Sequence, residues 1–376
     1  MDEIGKLENN VSSFLNNIQK DAPLLAAVSG GADSMAMLAS LCAVAPKEKI
    51  FCMHIEHGLR PAEESCGDAD FVRDFCKTNG IKFCVKHIKP GRIAQTAKRK
   101  GIGIEAAARY FRHRALSKAA KRLEQRSADC SGAKTLILLA HTKDDLLETA
   151  LMRVLRGAGP AGLAAMRSIA AMPQKRGRII RPLLAITRAD VIGYLKAKNI
   201  TWREDSTNAD IQFLRNKIRL MLVPLLNDAF PSWKSGLAAL AETQSLAAEF
   251  ISREADKNIK WTEEDFTQSR KGTKNTKKEN KKERNAINLS ADEGSFFAQP
   301  QIVREEAVFQ AINSLVSPRE VFCSAKSVRR AVVRRFCGGK INAADLGSVR
   351  LKRENGRIIL SKKEKEYFKQ GFSRLI

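Results

Sequence analysis

No two of the eight cysteines (Cys42, Cys52, Cys66, Cys76, Cys84, Cys130, Cys323, Cys337) form a C-x-x-C pair. A zinc site or a disulfide framework is therefore not expected. Several cysteines lie in apolar stretches such as Ile50-Phe51-Cys52-Met53 and Phe83-Cys84-Val85, which fits buried reduced thiols. The chain also lacks an uninterrupted apolar run long enough to span a bilayer. Its first residues, with Asp2, Glu3 and Glu8, show no apolar core of a signal peptide. A cytoplasmic protein with no membrane partner is the expectation. There is no internal repeat and no G-x-x-x-x-G-K-[ST] loop, so the commonest phosphate-binding loop is excluded. Acid is in short supply: Asp plus Glu number 41 against 66 Lys plus Arg, a formal net charge of +25. Such an excess favours a polyanionic partner, because basic side chains displace counterions from a phosphate backbone.

What is present is a chain of 376 residues, 44% hydrophobic, long enough for more than one globular unit. Short apolar runs at Leu24–Val28, Ile50–Ile55, Lys82–Ile88 and Thr135–Ala140 alternate with helical stretches Ser34–Ala45, Ala62–Asn79 and Gly103–Arg122. Strands alternating with helices predict a parallel sheet covered on both faces. A helix over Asp144–Arg156, a short edge strand at Arg178–Leu183 and a helix capped by Thr187 follow. Beyond Arg219 the pattern changes to an Ala-rich helical region, Leu220–Glu254. Residues 270–284 carry eight Lys/Arg against two Glu and no apolar residue, and read either as a linker or insertion or as an RNA-contacting arm. Near the end, Ser327–Phe336 reads as a basic helix. Val349–Lys352 and Arg357–Leu360 flank Glu354-Asn355-Gly356, whose Asn-Gly pair signals a hairpin.

The most specific signal is the loop Ser29-Gly30-Gly31-Ala32-Asp33-Ser34 between the first strand and its helix. Glycines let backbone amides converge on an anion, and the helix start adds positive potential at the same point. Ser29 and Ser34 can donate hydroxyl hydrogen bonds. Asp33 beside phosphates makes sense if it holds Mg2+ or positions another group. This S-G-G-x-D-S spelling resembles the PP-loop of the N-type ATP pyrophosphatases, which implies cleavage of ATP between its α- and β-phosphates. A second pattern, Gly157-Ala158-Gly159-Pro160-Ala161-Gly162, matches G-x-G-x-x-G by letter. It follows a helix rather than a strand and contains Pro160, so it reads as a helix stop.

Further stretches decide between acceptors. They are His57-Gly58-Leu59-Arg60 with Ser65; Gly103–Arg109 with Arg112; Ala140-His141 leading into Asp144-Asp145-Leu146-Leu147-Glu148-Thr149; Leu155-Arg156-Gly157, Gly162-Leu163 and Met166; Arg181-Pro182-Leu183-Leu184; Trp202 and Glu204–Asn208; and Arg215–Arg219 with Pro224. In order and spacing this series resembles the tRNA(Ile)-lysidine synthetase family. The resemblance implies a PP-loop (adenine nucleotide alpha-hydrolase-like) α/β domain over 1–218. A helical tRNA-binding domain over 219–315, with a basic insertion near 268–286, and a small α+β tRNA-binding domain over 316–376 would follow. It implies ATP and Mg2+ as cofactors, and L-lysine and tRNA(Ile) with a CAU anticodon as partners. The reaction it implies has two steps: adenylation of the wobble cytidine C2 oxygen, then attack by the lysine side-chain amine with loss of AMP. Two departures stand out, His113 where the family has Tyr, and Thr142 where His or Gln is common.

The residues make sense of those steps. Asp145 and Glu148, three apart on a helix, share a face that suits a cationic lysine, and either can accept a proton from the amine. The resemblance makes Asp145 catalytic and Glu148 the lysine holder. Arg109 and Arg112 share another face and suit ATP or tRNA phosphates, with Glu105 orienting one of them. Arg215 and Arg219 form a similar i, i+4 pair; Arg215 suits charge compensation during adenylation, while Arg219 can equally snorkel over apolar neighbours. His141 reads as a core histidine. A PP-loop tRNA thiolase is the nearest rival, disfavoured by the missing C-x-x-C. A non-catalytic RNA-binding protein is disfavoured by the anions beside the phosphate loop, and a small-molecule ligase by the basic charge. The oligomeric state is not encoded in any of these patterns.

Overall fold

The structure is a computed structural model that describes residues 3–18, 22–59, 62–126, 134–164, 166–171, 177–204, 214–264, 288–315, 326–346 and 348–362. Its chain forms two compact units: residues 1–99 with 103–246, and residues 100–102 with 247–376.

In the first unit the elements run α1 (Glu3–Asn16), β1 (Leu24–Ala27), α2 (Ala32–Val44), β2 (Ile50–Glu56), α3 (Ala62–Asn79), β3 (Lys82–His87), α4 (Arg92–Lys100) and α5 (Ile104–Arg126). They continue with β4 (Leu136–Leu139), α6 (Lys143–Leu155), α7 (Pro160–Leu163), β5 (Ile169–Ala171), β6 (Arg178–Ile180), α8 (Arg188–Ala197), α9 (Leu214–Lys217) and α10 (Val223–Ala229). A last helix, α11 (Trp233–Asn258), runs on into the second unit. The six strands lie in the order β3-β2-β1-β4-β6-β5, all parallel except β5. The short strand at Arg178 is therefore not the edge that its sequence suggests: antiparallel β5 lies outside it, too short and too bland in composition to read locally.

Alternation along the strands fills both faces. Leu24, Ala26, Cys52, Leu136, Leu138 and Ile180 point into one core with Met35, Leu38 and Leu41 of α2, Val72 of α3 and Val191, Tyr194 and Leu195 of α8. Leu25, Met53, Ile137, Leu139 and Ile179 point into the other, against Ala115, Leu116 and Ala120 of α5. Helix α2 is apolar almost all round because it is buried almost all round. The strand order reverses direction between β1 and β4. Open parallel sheets bind ligands at the carboxyl ends of the strands flanking such a switch point.

The region Leu220–Glu254, helical as its sequence suggests, consists of several helices. A π-turn spans Ile218–Leu222, and Pro224, with no N–H for the carbonyl four residues back, lies in the first turn of α10. A second break at Phe230–Ser232 contains Pro231. The glycine run after α6 is a helix stop: Gly157 has φ +64°, its amide donates to Val154 O at 2.9 Å, and Ala158 N donates to Arg153 O at 2.9 Å. These are the two bonds of a Schellman motif.

The second unit holds β7 (Thr262–Glu264), β8 (Asn288–Asp292), α12 (Glu293–Phe297), α13 (Gln301–Leu315), α14 (Lys326–Cys337), β9 (Ala343–Leu346), β10 (Val349–Glu354) and β11 (Arg357–Lys362). Its strands form an antiparallel sheet ordered β7-β8-β11-β10-β9. Asn355 and Gly356, at φ +51° and +70°, close β10 onto β11 as the left-handed pair that a two-residue hairpin needs. One core, from Ala255 through Val308 and Phe336 to Leu360, joins its helices to its sheet, so residues on both sides of position 315 share an interior. The basic stretch 270–284 lies outside the described residues. Of the cysteines, Cys52, Cys76 and Cys337 are buried thiols as expected, whereas Cys84 on β3 is exposed. Among the described residues, no helix is long and apolar enough to cross a membrane.

Candidate active site

The phosphate loop leaves β1 at its carboxyl end, beside the switch point. Buried His54 on β2 donates from Nδ1 to the Val28 carbonyl at 2.9 Å and so fixes the strand's exit. Gly30 then takes φ +94°, a backbone state that side chains avoid. Ser34 ties the turn together: its Oγ accepts from the Ser29 and Gly30 amides, each at 3.2 Å, and donates to Gly31 O at 2.8 Å. From outside, Arg203 N donates to Gly30 O at 3.0 Å while its Nε reaches Asp68 of α3 at 3.1 Å.

Three helices begin around this loop, and their first turns differ. Helices α6 and α8 open with complete capping boxes, Thr142 with Asp145 and Thr187 with Asp190. Helix α2 opens on Gly31 with no side-chain cap. Its amides, with the dipole behind them, are the ones left for an anion.

Asp33 sits in that first turn of α2. Its Oδ1 is 2.5 Å from Arg188 Nη1, yet this buried oxygen has no aligned hydrogen-bond donor. Burial raises the Asp33 carboxyl above its ordinary range, and Arg188 pulls it back only in part; Asp145 raises it further and Arg219 lowers it. Arg188 itself is anchored by its own amide, which donates to Asp144 Oδ2 at 2.7 Å.

Asp145 and Glu148 face α9 and the π-turn, not open solvent. Arg215 Nη2 donates to Asp145 Oδ1 at 2.7 Å and Arg215 Nε to Glu148 Oε2 at 2.8 Å. Arg219 donates Nε to Glu148 Oε1 at 2.7 Å and Nη2 to Glu148 Oε2 at 3.1 Å. Asp145 Oδ2, by contrast, accepts from the Thr142 amide at 2.9 Å as part of the cap. The sequence assigns the carboxylates to one ligand and the arginines to others. The structure pairs them with each other, because the chain folds α9 back across α6.

Arg109 and Arg112 on α5 have no hydrogen-bond or carboxylate partner among the described residues. Glu105, expected to orient one of them, is exposed and forms no ion pair among the described residues, although its charge reaches both. They belong to a cationic group with Arg153 and Arg181. Burial, with Arg109 and Arg153 beside it, brings Arg181 down to about 10. Its Nε donates to His141 Nδ1 at 3.3 Å, which leaves His141 protonated on Nε2. Burial holds His141 down at about 3 and His113 at about 4.

Residues 4–226 match the model of the ATP-binding PP-loop domain. The chain belongs to this family. A tRNA(Ile)-lysidine synthase of Treponema denticola is 41% identical over 228 residues, covering 60% of this chain and 46% of that protein. One from Thermus thermophilus is 37% identical over 237 residues, 63% of this chain and 42% of that protein. One from Deinococcus radiodurans is 40% identical over 219 residues, 58% and 33% respectively. The chain thus spans about half, or less, of the length of the curated relatives it matches. Among solved structures, the U34-tRNA thiolase NcsA of Methanococcus maripaludis aligns with 64% of this chain and 79% of its own at 15% identity, TM-score 0.48.

Within the PP-loop domain the structure gathers Ser29–Ser34, Asp145, Glu148, Arg215 and Arg219 at one sheet edge. Arg60 and residues 205–208 lie outside the described residues. Sequence reasoning passed over Arg188 and Arg203. Their sole signal was position: Arg188 directly follows the capping Thr187, and Arg203 stands beside Trp202.

Proposed function

We propose that this chain is a tRNA(Ile)-lysidine synthetase: it splits ATP to AMP and pyrophosphate and joins L-lysine to C2 of the wobble cytidine in the CAU anticodon of tRNA(Ile). The observation that carries the reading is the meeting, at the β1/β4 switch point, of an uncapped PP-loop helix with the Asp145/Glu148–Arg215/Arg219 cluster. The names of the curated relatives support it.

In this reading the loop Ser29–Ser34 holds the phosphates, chiefly through the amides of the uncapped first turn of α2, and the two serine hydroxyls turn from their partners within the loop to join them. Asp33, a carboxylate in the first turn of the phosphate-loop helix, would hold Mg2+. The ion, when bound, neutralises phosphate charge. The cytidine O2 bonds to the α-phosphorus as pyrophosphate leaves, with Arg215 stabilising the charge. Lysine then enters as an ammonium ion and must lose a proton before its nitrogen attacks C2 and releases AMP. Glu148 holds that cation and Asp145 takes the proton. Because both carboxylates are paired with arginines, lysine must displace at least one guanidinium to reach them, and Arg219, the more exposed, is the one to move. Arg109 and Arg112 take tRNA or ATP phosphates. The regions 219–315 and 316–376, with basic α14, grip the tRNA.

The test is incorporation of radiolabelled lysine into a CAU-bearing tRNA(Ile) transcript with ATP and Mg2+. Incorporation that Asp33→Ala abolishes is expected; no label in the RNA refutes the lysidine reading.

A further inference from the structure

Arg188 is the first residue of α8, and its backbone is pinned from both sides. Its amide is held by Asp144 Oδ2 at 2.7 Å, and the Lys143 amide donates to Ile186 O at 2.8 Å, so the starts of α6 and α8 are tied together. Behind it, Val191, Tyr194 and Leu195 fix α8 in the core. From this base the guanidinium reaches Asp33 at 2.5 Å while the side chain stays 46% exposed. The contact is a direct ion pair between the two side chains. A carboxylate oxygen thus stands where the open turn of α2 and an exposed cationic fork converge. The other arginines of the cluster are placed differently: in the free protein Arg215 and Arg219 pair with Asp145 and Glu148 rather than with Asp33.

We propose that Arg188 binds the β- and γ-phosphates of ATP and stays with pyrophosphate as it departs, the Asp33 carboxylate standing in for them in the free protein. This rests on the ATP-splitting reading above. In the transfer, a bond forms between the acceptor oxygen and the α-phosphorus. The bond from the α-phosphorus to the bridging oxygen breaks, and its electron pair leaves on the β-phosphate. A guanidinium aimed at that group meets the growing charge with a planar fork matched to phosphate oxygens. Its exposure places it on the side from which a product can diffuse away.

The inference is tested by titrating inorganic pyrophosphate, AMP and ATP separately into the whole protein without metal. Loss of one charge-assisted contact predicts that Arg188→Gln weakens pyrophosphate binding by roughly ten- to a hundredfold. AMP affinity should stay within about twofold, and Arg188→Lys should fall between wild type and Arg188→Gln. Asp33→Asn should tighten metal-free pyrophosphate binding, because the competing carboxylate is gone. Wild-type pyrophosphate affinity in Arg188→Gln, or equal losses for AMP and pyrophosphate, overturns the assignment. Should Arg188→Gln fail to fold, the Asp33→Asn arm decides, and unchanged or weaker pyrophosphate binding there overturns it. A wild-type protein that binds no ATP even when Mg2+ is added overturns the underlying reading and this inference with it. ATP binding undiminished by Arg188→Gln overturns the inference alone.

Discussion

Replacing Glu148 with Gln removes the charge at the centre of the four-residue ion cluster while keeping its volume. The Glu148 carboxylate, 5% exposed, accepts three hydrogen bonds from two guanidinium groups. Gln can accept on one oxygen only and turns an NH2 group toward a cation. Removing one partner of a fully buried ion pair costs about 3–5 kcal/mol, whereas an exposed pair is worth about 0–1 kcal/mol. Arg215 and Arg219 are 29% and 42% exposed, so both recover part of their hydration, and Arg215 keeps Asp145. The expected loss lies between those limits, at about 2 kcal/mol. Urea unfolding read by the fluorescence of Trp202, which packs against the first unit's core, measures it. A cycle adds the decisive arm. In an Arg215→Met/Arg219→Met background, Glu148→Gln should become neutral or stabilising, because it then removes an unpaired buried carboxylate. A single-mutant loss under about 0.3 kcal/mol, or the same loss in both backgrounds, would refute the pairing as the source.

Two further outcomes follow from the same geometry. His113, 8% exposed, is held at about 4 by burial and by Arg109, Arg112 and Arg181, against an ordinary 6.5. The unfolded chain therefore takes a proton first as pH falls, and stability should drop between pH 6.5 and about 4 by roughly 1 kcal/mol per pH unit. His113→Phe should flatten that slope in pH-dependent thermal melts, and an unaltered slope would reject the assignment. For Gly30→Ala, a new Cβ meets nothing closer than 3.6 Å, so the penalty is torsional, from φ +94°. A loss of about 1 kcal/mol or more in stability, with weaker ATP binding by calorimetry, is expected; unchanged ATP affinity would separate the loop's shape from its binding role.

The parts of the fold that were legible from sequence are those set by neighbours along the chain. The S-G-G-x-D-S spelling gave a strand-loop-helix turn, Asn355-Gly356 a hairpin, Thr187 a cap, and Pro160 argued correctly against a dinucleotide loop. Periodicity placed β1 to β4 but misjudged Arg178–Ile180, because edge position depends on a partner strand and β5 has only three residues. The ion cluster was illegible for the same reason. Arg215 and Glu148 are 67 positions apart, and Asp33 and Arg188 are further apart still. Each reads alone as a surface charge or a ligand holder. Pairing is decided by how α8 and α9 return across the sheet edge, which local pattern does not encode.

The two oxygens of Asp145 lead unequal lives. Oδ2 belongs to the backbone of Thr142 and holds the first turn of α6 in place, whereas Oδ1 faces Arg215. Any exchange of partner or proton at this carboxylate can therefore proceed at Oδ1 alone, in one direction in space, without unwinding the helix that carries it. The carboxylate is a one-sided contact on a fixed post, free to change partner on one side while its position is held from the other.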